Sequence, residues 1–326
     1  MRKPGARLRI GALCLLGAFA TTELPAHAQS YPSRPIKMIV PFPAGGPLDI
    51  VARGVGDKLT ASLKQNVIVE NRPGAAGNLG SDLVVKSAPD GYTLLMVLNT
   101  TLTVNPALYK TMPFDSQRDL KPISILTSNS QMLVVHPSVP VNSVKEFVAF
   151  ASKETVSYAH AGHGSPGHLV MEYFRLKAGF KANPVPYKGN APLVNDLIAG
   201  HIKVGFVATA GVLPHVSAGR LRGLAISSVS RSQLAPNIPT VAESGYPDFN
   251  VETYFVLAAP AGLPDPIAAV LEREVQNALK APQLQARLRK IDLLPVGMTG
   301  AQAKARIKAD LELWAGVVKA ANMRIE

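Results

Sequence analysis

The turn Pro41-Phe42-Pro43-Ala44-Gly45-Gly46-Pro47-Leu48-Asp49 joins two segments of different hydrophobic period, and this junction constrains the fold more than any other part of the chain. Ile36-Lys37-Met38-Ile39-Val40 before it reads as a strand, and Ile50, Val51, Val55 and Leu59 after it fall on one face of a helix. Gly45 and Gly46 place no side chain in the way of a ligand, so backbone N–H groups at the helix start can converge on a carboxylate or phosphate. The turn holds no nucleophile and no group of metal ligands, which points to binding rather than chemistry. Asp49 has two open readings: it accepts backbone N–H groups and fixes the turn, or it meets the ligand through a donor group or water.

The alternation of periods continues along the chain. Val67 to Glu70 and Thr93 to Leu98 read as strands around a helix from Gly77 to Lys86, the pattern of an α/β sheet. Two apolar runs, Ile123 to Leu126 and Met132 to Val135, are separated only by Thr127-Ser128-Asn129-Ser130-Gln131, so one long strand is expected to cross here between lobes. The second lobe would hold a helix opened by Asn142-Ser143, strands at Val156 to Ala159 and Val185 to Tyr187, and helices at Gly167 to Ala178 and Ala191 to Ala199. Ile202 to Val207 and Leu221 to Ser227 would complete its sheet. Asn250 to Leu257 reads as the return strand, with helices from Asp265 to Leu279 and Ala301 to Val318 after it. The expectation is an α/β fold of two lobes joined by two crossing strands at a hinge, with residues 29–128 and 252–326 in the first lobe and 129–251 in the second.

The first residues carry an address. Arg2, Lys3, Arg7 and Arg9 precede an apolar run from Ile10 to Ala20, and Ala26-His27-Ala28 forms a small-x-small cleavage site, so residues 1–28 read as a secretory signal peptide cut after Ala28. The apolar run is about half of the roughly 20 residues that span a bilayer. Cys14, the one cysteine, lies inside that run behind Leu13 rather than a small residue, so lipidation is not expected and the exported chain has no thiol. A chain of this length without disulfides rests on its hydrophobic core, and a bacterial periplasm suits it. The net charge is +12, but the basic residues are scattered rather than clustered with aromatics, which argues against nucleic acid as the partner; a diffuse positive field suits acidic small molecules and a solubility role equally well.

More specific are Tyr31-Pro32-Ser33-Arg34-Pro35-Ile36, Val40 to Gly46, Val69-Glu70-Asn71-Arg72-Pro73-Gly74-Ala75-Ala76-Gly77-Asn78, Ala88-Pro89-Asp90-Gly91-Tyr92 and Asn105-Pro106-Ala107-Leu108-Tyr109. They continue through Val135-His136-Pro137-Ser138, Val185-Pro186-Tyr187-Lys188-Gly189, Ile238-Pro239-Thr240-Val241-Ala242-Glu243 and Ala259-Pro260-Ala261-Gly262. In this order and spacing they resemble the tripartite tricarboxylate transporter receptor family, the TctC-like or Bug proteins, across essentially the whole exported chain. The resemblance implies a monomeric periplasmic solute-binding receptor of Venus-flytrap fold, with no cofactor. It would hold a small carboxylate largely through backbone groups and ordered waters, for the large and small membrane subunits of a transporter or for a sensor.

Candidate ligand contacts follow from the turns and the resemblance together. Phe42, Ala44, Gly45, Gly46 and Asp49 form one wall, and Thr100 and Thr101 are hydroxyl donors beside it. The opposite wall is the loop His160-Ala161-Gly162-His163-Gly164-Ser165-Pro166-Gly167-His168, where Ser165 before Pro166 opens a helix and is the expected ligand donor, with His160 and Gly164 near it. The Gly-x-Ser-x-Gly elbow of a hydrolase fails because His163 stands two residues before Ser165. The spacing of His160, His163 and His168 matches no standard metal pattern, so no metal is expected. Tyr187 ends a strand beside Lys188, which is read as facing solvent.

Two departures bear on the ligand. Many relatives carry an Asp-Asn pair where this chain has Val207-Ala208, and an aromatic pair followed by glycine where it has Tyr254-Phe255-Val256. A less polar pocket, suited to an apolar or aromatic acid, is the consequence. The alternative function is an exported hydrolase-like enzyme on the same lobes, since a fold alone does not set function.

Overall fold

A computed structural model describes residues 31–324. Residues 1–28, read above as a signal peptide, and with them Cys14, lie outside the described residues. In chain order the elements are β1 (Ile36–Val40), α1 (Pro47–Leu63), β2 (Val67–Asn71), α2 (Asn78–Val85), β3 (Thr93–Leu98), α3 (Asn99–Thr103), α4 (Asn105–Leu108), β4 (Leu120–Asn129) and β5 (Gln131–Val135). There follow α5 (Val144–Lys153), β6 (Val156–His160), α6 (Pro166–Ala178), β7 (Ala182–Pro186), α7 (Asn190–Ala199), β8 (Val204–Ala208), α8 (Thr209–Ser217) and β9 (Arg222–Ile226). The last are β10 (Thr253–Pro260), α9 (Asp265–Leu279), α10 (Pro282–Arg289), β11 (Leu294–Thr299) and α11 (Gly300–Ala320). Local signals set several of these boundaries. Ser143 caps α5 by accepting the Glu146 N–H at 3.2 Å, and Thr299 with Gln302 forms a capping box on α11.

The strands form two sheets, of order β11-β4-β10-β3-β1-β2 and β7-β6-β8-β5-β9. In the first, β1 is parallel to β2 and β3, and β10 returns antiparallel between β3 and β4. In the second, β6 is parallel to β7 and β8, while β5 is antiparallel to β8 and β9. Helices cover both faces of each sheet, which is why the strands are nearly continuous apolar runs. On β3, Leu94 and Met96 meet Val55 and Leu271 on one face, and Leu95 and Val97 meet Val84 and Ile307 on the other. On β5, Met132 and Val134 pack with Leu197 and Val212, and Leu133 and Val135 with Phe147 and Phe174.

This is the two-lobed α/β fold, and the chain passes between its sheets twice. β4 continues into β5 through Ser130, and the segment after β9 leads back into β10. Ser227 ties the two passages together: its Oγ accepts the Gln131 N–H at 2.9 Å and donates to the Val251 carbonyl at 2.7 Å. α11, 21 residues and so about 30 Å long, spans both cores, with Ile307 in that of the first sheet and Trp314 and Val317 in that of the second. No helix among the described residues is long and apolar enough to cross a membrane.

Candidate functional site

A cavity of about 450 Å³ opens where strand ends of the two sheets meet. Three cross-strand pairs line it: Leu98 opposite Phe255, Asn129 opposite Thr253, and Gln131 opposite Ala208. Directly paired residues share a sheet face, so each pair presents neighbouring side chains to the same space. Around them stand the N-terminal ends of four helices: Gly46, Pro47 and Leu48 of α1, Ser165, Pro166 and Gly167 of α6, Asn190 of α7, and Ala208 before α8. Ligands of open α/β sheets collect in such a place, beyond the carboxyl ends of the strands. Among the described residues, no Asp, Glu, Lys, Arg or His lines this cavity.

The turn before α1 is braced from behind. Asp49 Oδ2 accepts the Gly45 N–H and Arg53 Nε, both at 2.9 Å, and its Oδ1 accepts Asn71 Nδ2 at 3.0 Å. Asn71 also donates to the Phe42 carbonyl at 3.0 Å. Burial pushes the Asp49 carboxyl up, but Arg53, the Gly45 amide and Asn71 together outweigh it and hold it below the ordinary carboxylate range. Asp49 is thus a buried, ionised brace of the turn. Gly46, the N-cap, has extended backbone (φ −74°) and offers no side-chain cap, and helix geometry leaves the Leu48 and Asp49 N–H groups without intrahelical acceptors.

The opposite wall carries two orphaned polar atoms. Ser165 is the N-cap of α6, yet its Oγ caps nothing; it is buried without a hydrogen-bond partner, as is Asn129 Oδ1. A buried polar group left unpaired costs on the order of 1–3 kcal/mol, so two on one cavity mark where a ligand or its waters would complete the bonding. Gly167 lets this wall form: a Cβ there would stand 2.1 Å from the Phe206 carbonyl oxygen.

Of the residues singled out in the sequence, Phe42, Ala44, Gly46, Ser165 and Ala208 line the cavity. The others are placed elsewhere, for identifiable reasons. Gly45 and Asp49 are engaged with each other behind the turn. Thr101 is buried and donates to the Ala76 carbonyl at 2.8 Å, and the Thr100 carbonyl accepts the Val104 N–H within the short α3 turn. Gly164 lies against Leu108 and gives its N–H to His168, while His160 is wholly buried at the end of β6. Tyr187 donates its hydroxyl to Asp196 at 2.8 Å. Val207 and Tyr254 miss the cavity by one residue, because side chains alternate along a strand: Phe206 and Ala208 line it while Val207 enters the core, and Thr253 and Phe255 line it while the Tyr254 hydroxyl meets Asp310 at 2.7 Å. Sequence reasoning missed Leu98, Asn129, Gln131, Asn190, Phe206, Thr253 and Phe255. The available signal for two of them was the polar interruption Asn129-Ser130-Gln131 between apolar strands.

Comparison with known proteins agrees with this geometry. The family model described as tripartite tricarboxylate transporter family receptor matches residues 51–323. The chain is similar to Protein BugT of Bordetella pertussis, 37% identical over 96% of this chain and 98% of that protein. Among solved structures it is similar to an R. palustris protein with adipate, at 30% identity and TM-score 0.77 over 90% of this chain and 100% of that one. It is also similar to MatC from Rhodopseudomonas palustris with bound malate, at 28% identity and TM-score 0.73 over 88% of this chain and 100% of that one. With a family match over residues 51–323, a two-lobed fold and a cavity ringed by helix starts, the chain belongs to the tripartite tricarboxylate transporter receptor family.

Proposed function

We propose that this chain is a periplasmic receptor, exported with cleavage after Ala28, that takes a small carboxylate with an apolar or aromatic body into the cavity between its lobes. It acts as a monomer, with residues 29–128 and 252–326 as one lobe and 129–251 as the other, and presents the ligand to the membrane subunits of a tripartite tricarboxylate-type transporter or to a sensor. The observation that carries this reading is a cavity ringed by four helix N-termini with no charged side chain in its lining. Each helix start favours an anion by about 0.3–1 kcal/mol, up to about 2 when desolvated. Phe42, Leu48, Leu98, Phe206 and Phe255 offer an apolar surface to the rest of the molecule. The relatives solved with adipate and malate support the carboxylate. A thermal-shift panel of adipate, malate and apolar or aromatic acids, each beside its neutral amide, tests the reading, with the mixtures checked for new products. Stabilisation by acids alone, with ligand unchanged, is expected. Equal stabilisation by amides removes the anion site, and turnover makes the protein an enzyme.

Two finer outcomes follow from the uncharged lining. With no titratable group in contact, affinity should be flat from about pH 6 to 9 and fall only as the ligand's own carboxyl protonates near pH 4. Exposed Lys188 lies outside the lining, so Lys188→Ala should change Kd by less than about twofold, whereas Ser165→Ala should remove a charge-assisted bond and weaken binding roughly tenfold or more. Calorimetric titration of both variants checks the contrast.

A further inference from the structure

His160 closes β6, His168 lies in the first turn of α6, and His163 stands on the loop between them. The fold returns the loop on itself, so that one ligand nitrogen from each of the three lies within 4.8 Å of the others, a convergence their spacing in sequence did not reveal. The His160 and His168 rings stack at 4.1 Å and 11°, and the His163 ring stands edge-on to both at 5.3 and 5.6 Å. We propose that His160, His163 and His168 form a binding site for one divalent transition-metal ion of the zinc, copper or nickel class, beside the carboxylate cavity and separate from it.

The donor chemistry supports coordination over simple packing. His160 Nδ1 bonds the Gly162 carbonyl at 2.9 Å; a carbonyl only accepts, so the proton is on Nδ1 and the lone pair on Nε2. That Nε2 is buried and has no hydrogen-bond partner. A backbone carbonyl that holds one ring nitrogen and frees the other is the usual outer contact of a metal-ligating histidine. His168 Nδ1 accepts the Gly164 N–H at 3.1 Å, so binding an ion through either ring nitrogen breaks that bond: at Nδ1 the ion displaces the amide, and at Nε2 the proton moves to Nδ1 and the amide must turn away. Two cations share the cleft beside His163 and His168: Arg324, and Arg175, which is neutralised by Glu172 at 2.7 Å, whose other oxygen accepts the Tyr158 hydroxyl at 2.6 Å.

Geometry names the part that moves. Ligand nitrogens around a tetrahedral ion with bonds of about 2.1 Å stand about 3.4 Å apart, so the cluster must tighten by an ångström or so. Exposed His163 lies between Gly162 (φ 118°) and Gly164 (φ 71°), both at conformations that glycine adopts without strain, and it closes onto the buried pair, while His168 must turn out of its stack on His160, because the in-plane lone pairs of parallel rings do not meet at one ion. Three imidazoles, with the adjacent Glu172 carboxylate already held by Arg175 and Tyr158, suit zinc, copper or nickel and not calcium or magnesium, with a fourth position left to water. The ion would clamp the strand end, the loop and the helix start that carry Ser165.

The test is calorimetric titration of zinc chloride into untagged, chelator-stripped protein, with no carboxylate present. One ion per chain is expected, with affinity falling more than about tenfold in His163→Ala, a variant whose exposed side chain leaves folding intact. No saturable binding overturns the site. So does binding that is unchanged in His163→Ala, which would assign the ion to other histidines such as His136 or His201. The thermal-shift panel of acids, run on the same protein, is scored independently, so failure here leaves the carboxylate reading standing.

Discussion

Gly46→Val should abolish carboxylate binding in a protein that still folds. Gly46 lines the cavity at the start of α1, and its φ of −74° is open to any residue, so no left-handed strain follows from the change. A Cβ there meets only the Pro43 carbonyl oxygen, at 3.6 Å, an ordinary contact. Valine is a poor N-cap relative to glycine, and a cost of about 1 kcal/mol would lower Tm by roughly 2–4 °C. The branched side chain, however, occupies the space a carboxylate needs to reach the Leu48 and Asp49 N–H groups, and a loss of at least about a hundredfold, or ~3 kcal/mol, is expected. Titration calorimetry beside a melting curve separates the effects. Gly45, at φ 81°, is the glycine of this turn whose backbone needs to be one.

Gly167→Ala should fail in the opposite order, stability first. The added carbon would lie 2.1 Å from the Phe206 carbonyl oxygen and 3.2 Å from its carbon, and backbone cannot swing aside as a side-chain tip does. α6 and β8 must separate, breaking the wall that holds Ser165. Overpacking of this kind costs about 3 kcal/mol or more, a fall in Tm of roughly 10 °C. Ligand affinity falls with it, because Gly167 and Phe206 both line the cavity. A melting temperature equal to wild type would show that the helix start approaches β8 less closely than described.

These contrasts show where the sequence was legible. The turn at 41–49 announced itself because a short apolar run met a period-3.6 run across prolines and glycines, and Ser143 and Ser165 marked helix starts by their chemistry. The phase of β8 and β10 was not legible. Strands covered on both faces carry no polar alternation to show which residue faces which way, hence the one-residue misses at Val207 and Tyr254. β11, an edge strand broken by Pro295 and Gly297, and the short, polar α10 gave no clear period either. The orphaned Asn129 Oδ1 and the meeting of three histidines depend on how distant segments approach, which no local spacing encodes. Lys188, read from the sequence as facing solvent, is exposed and lies outside the lining.

The central claim is that a carboxylate is held by backbone at helix starts and not by a counter-charge. A crystal structure with the most stabilising acid of the panel tests it most directly. The account predicts carboxylate oxygens within hydrogen-bond distance of the Leu48 or Asp49 N–H, with Ser165 Oγ or Asn129 completing the shell directly or through water, and no lysine or arginine in contact. A carboxylate paired with Lys188 or another cation, or bound outside the cavity between the sheets, would contradict it.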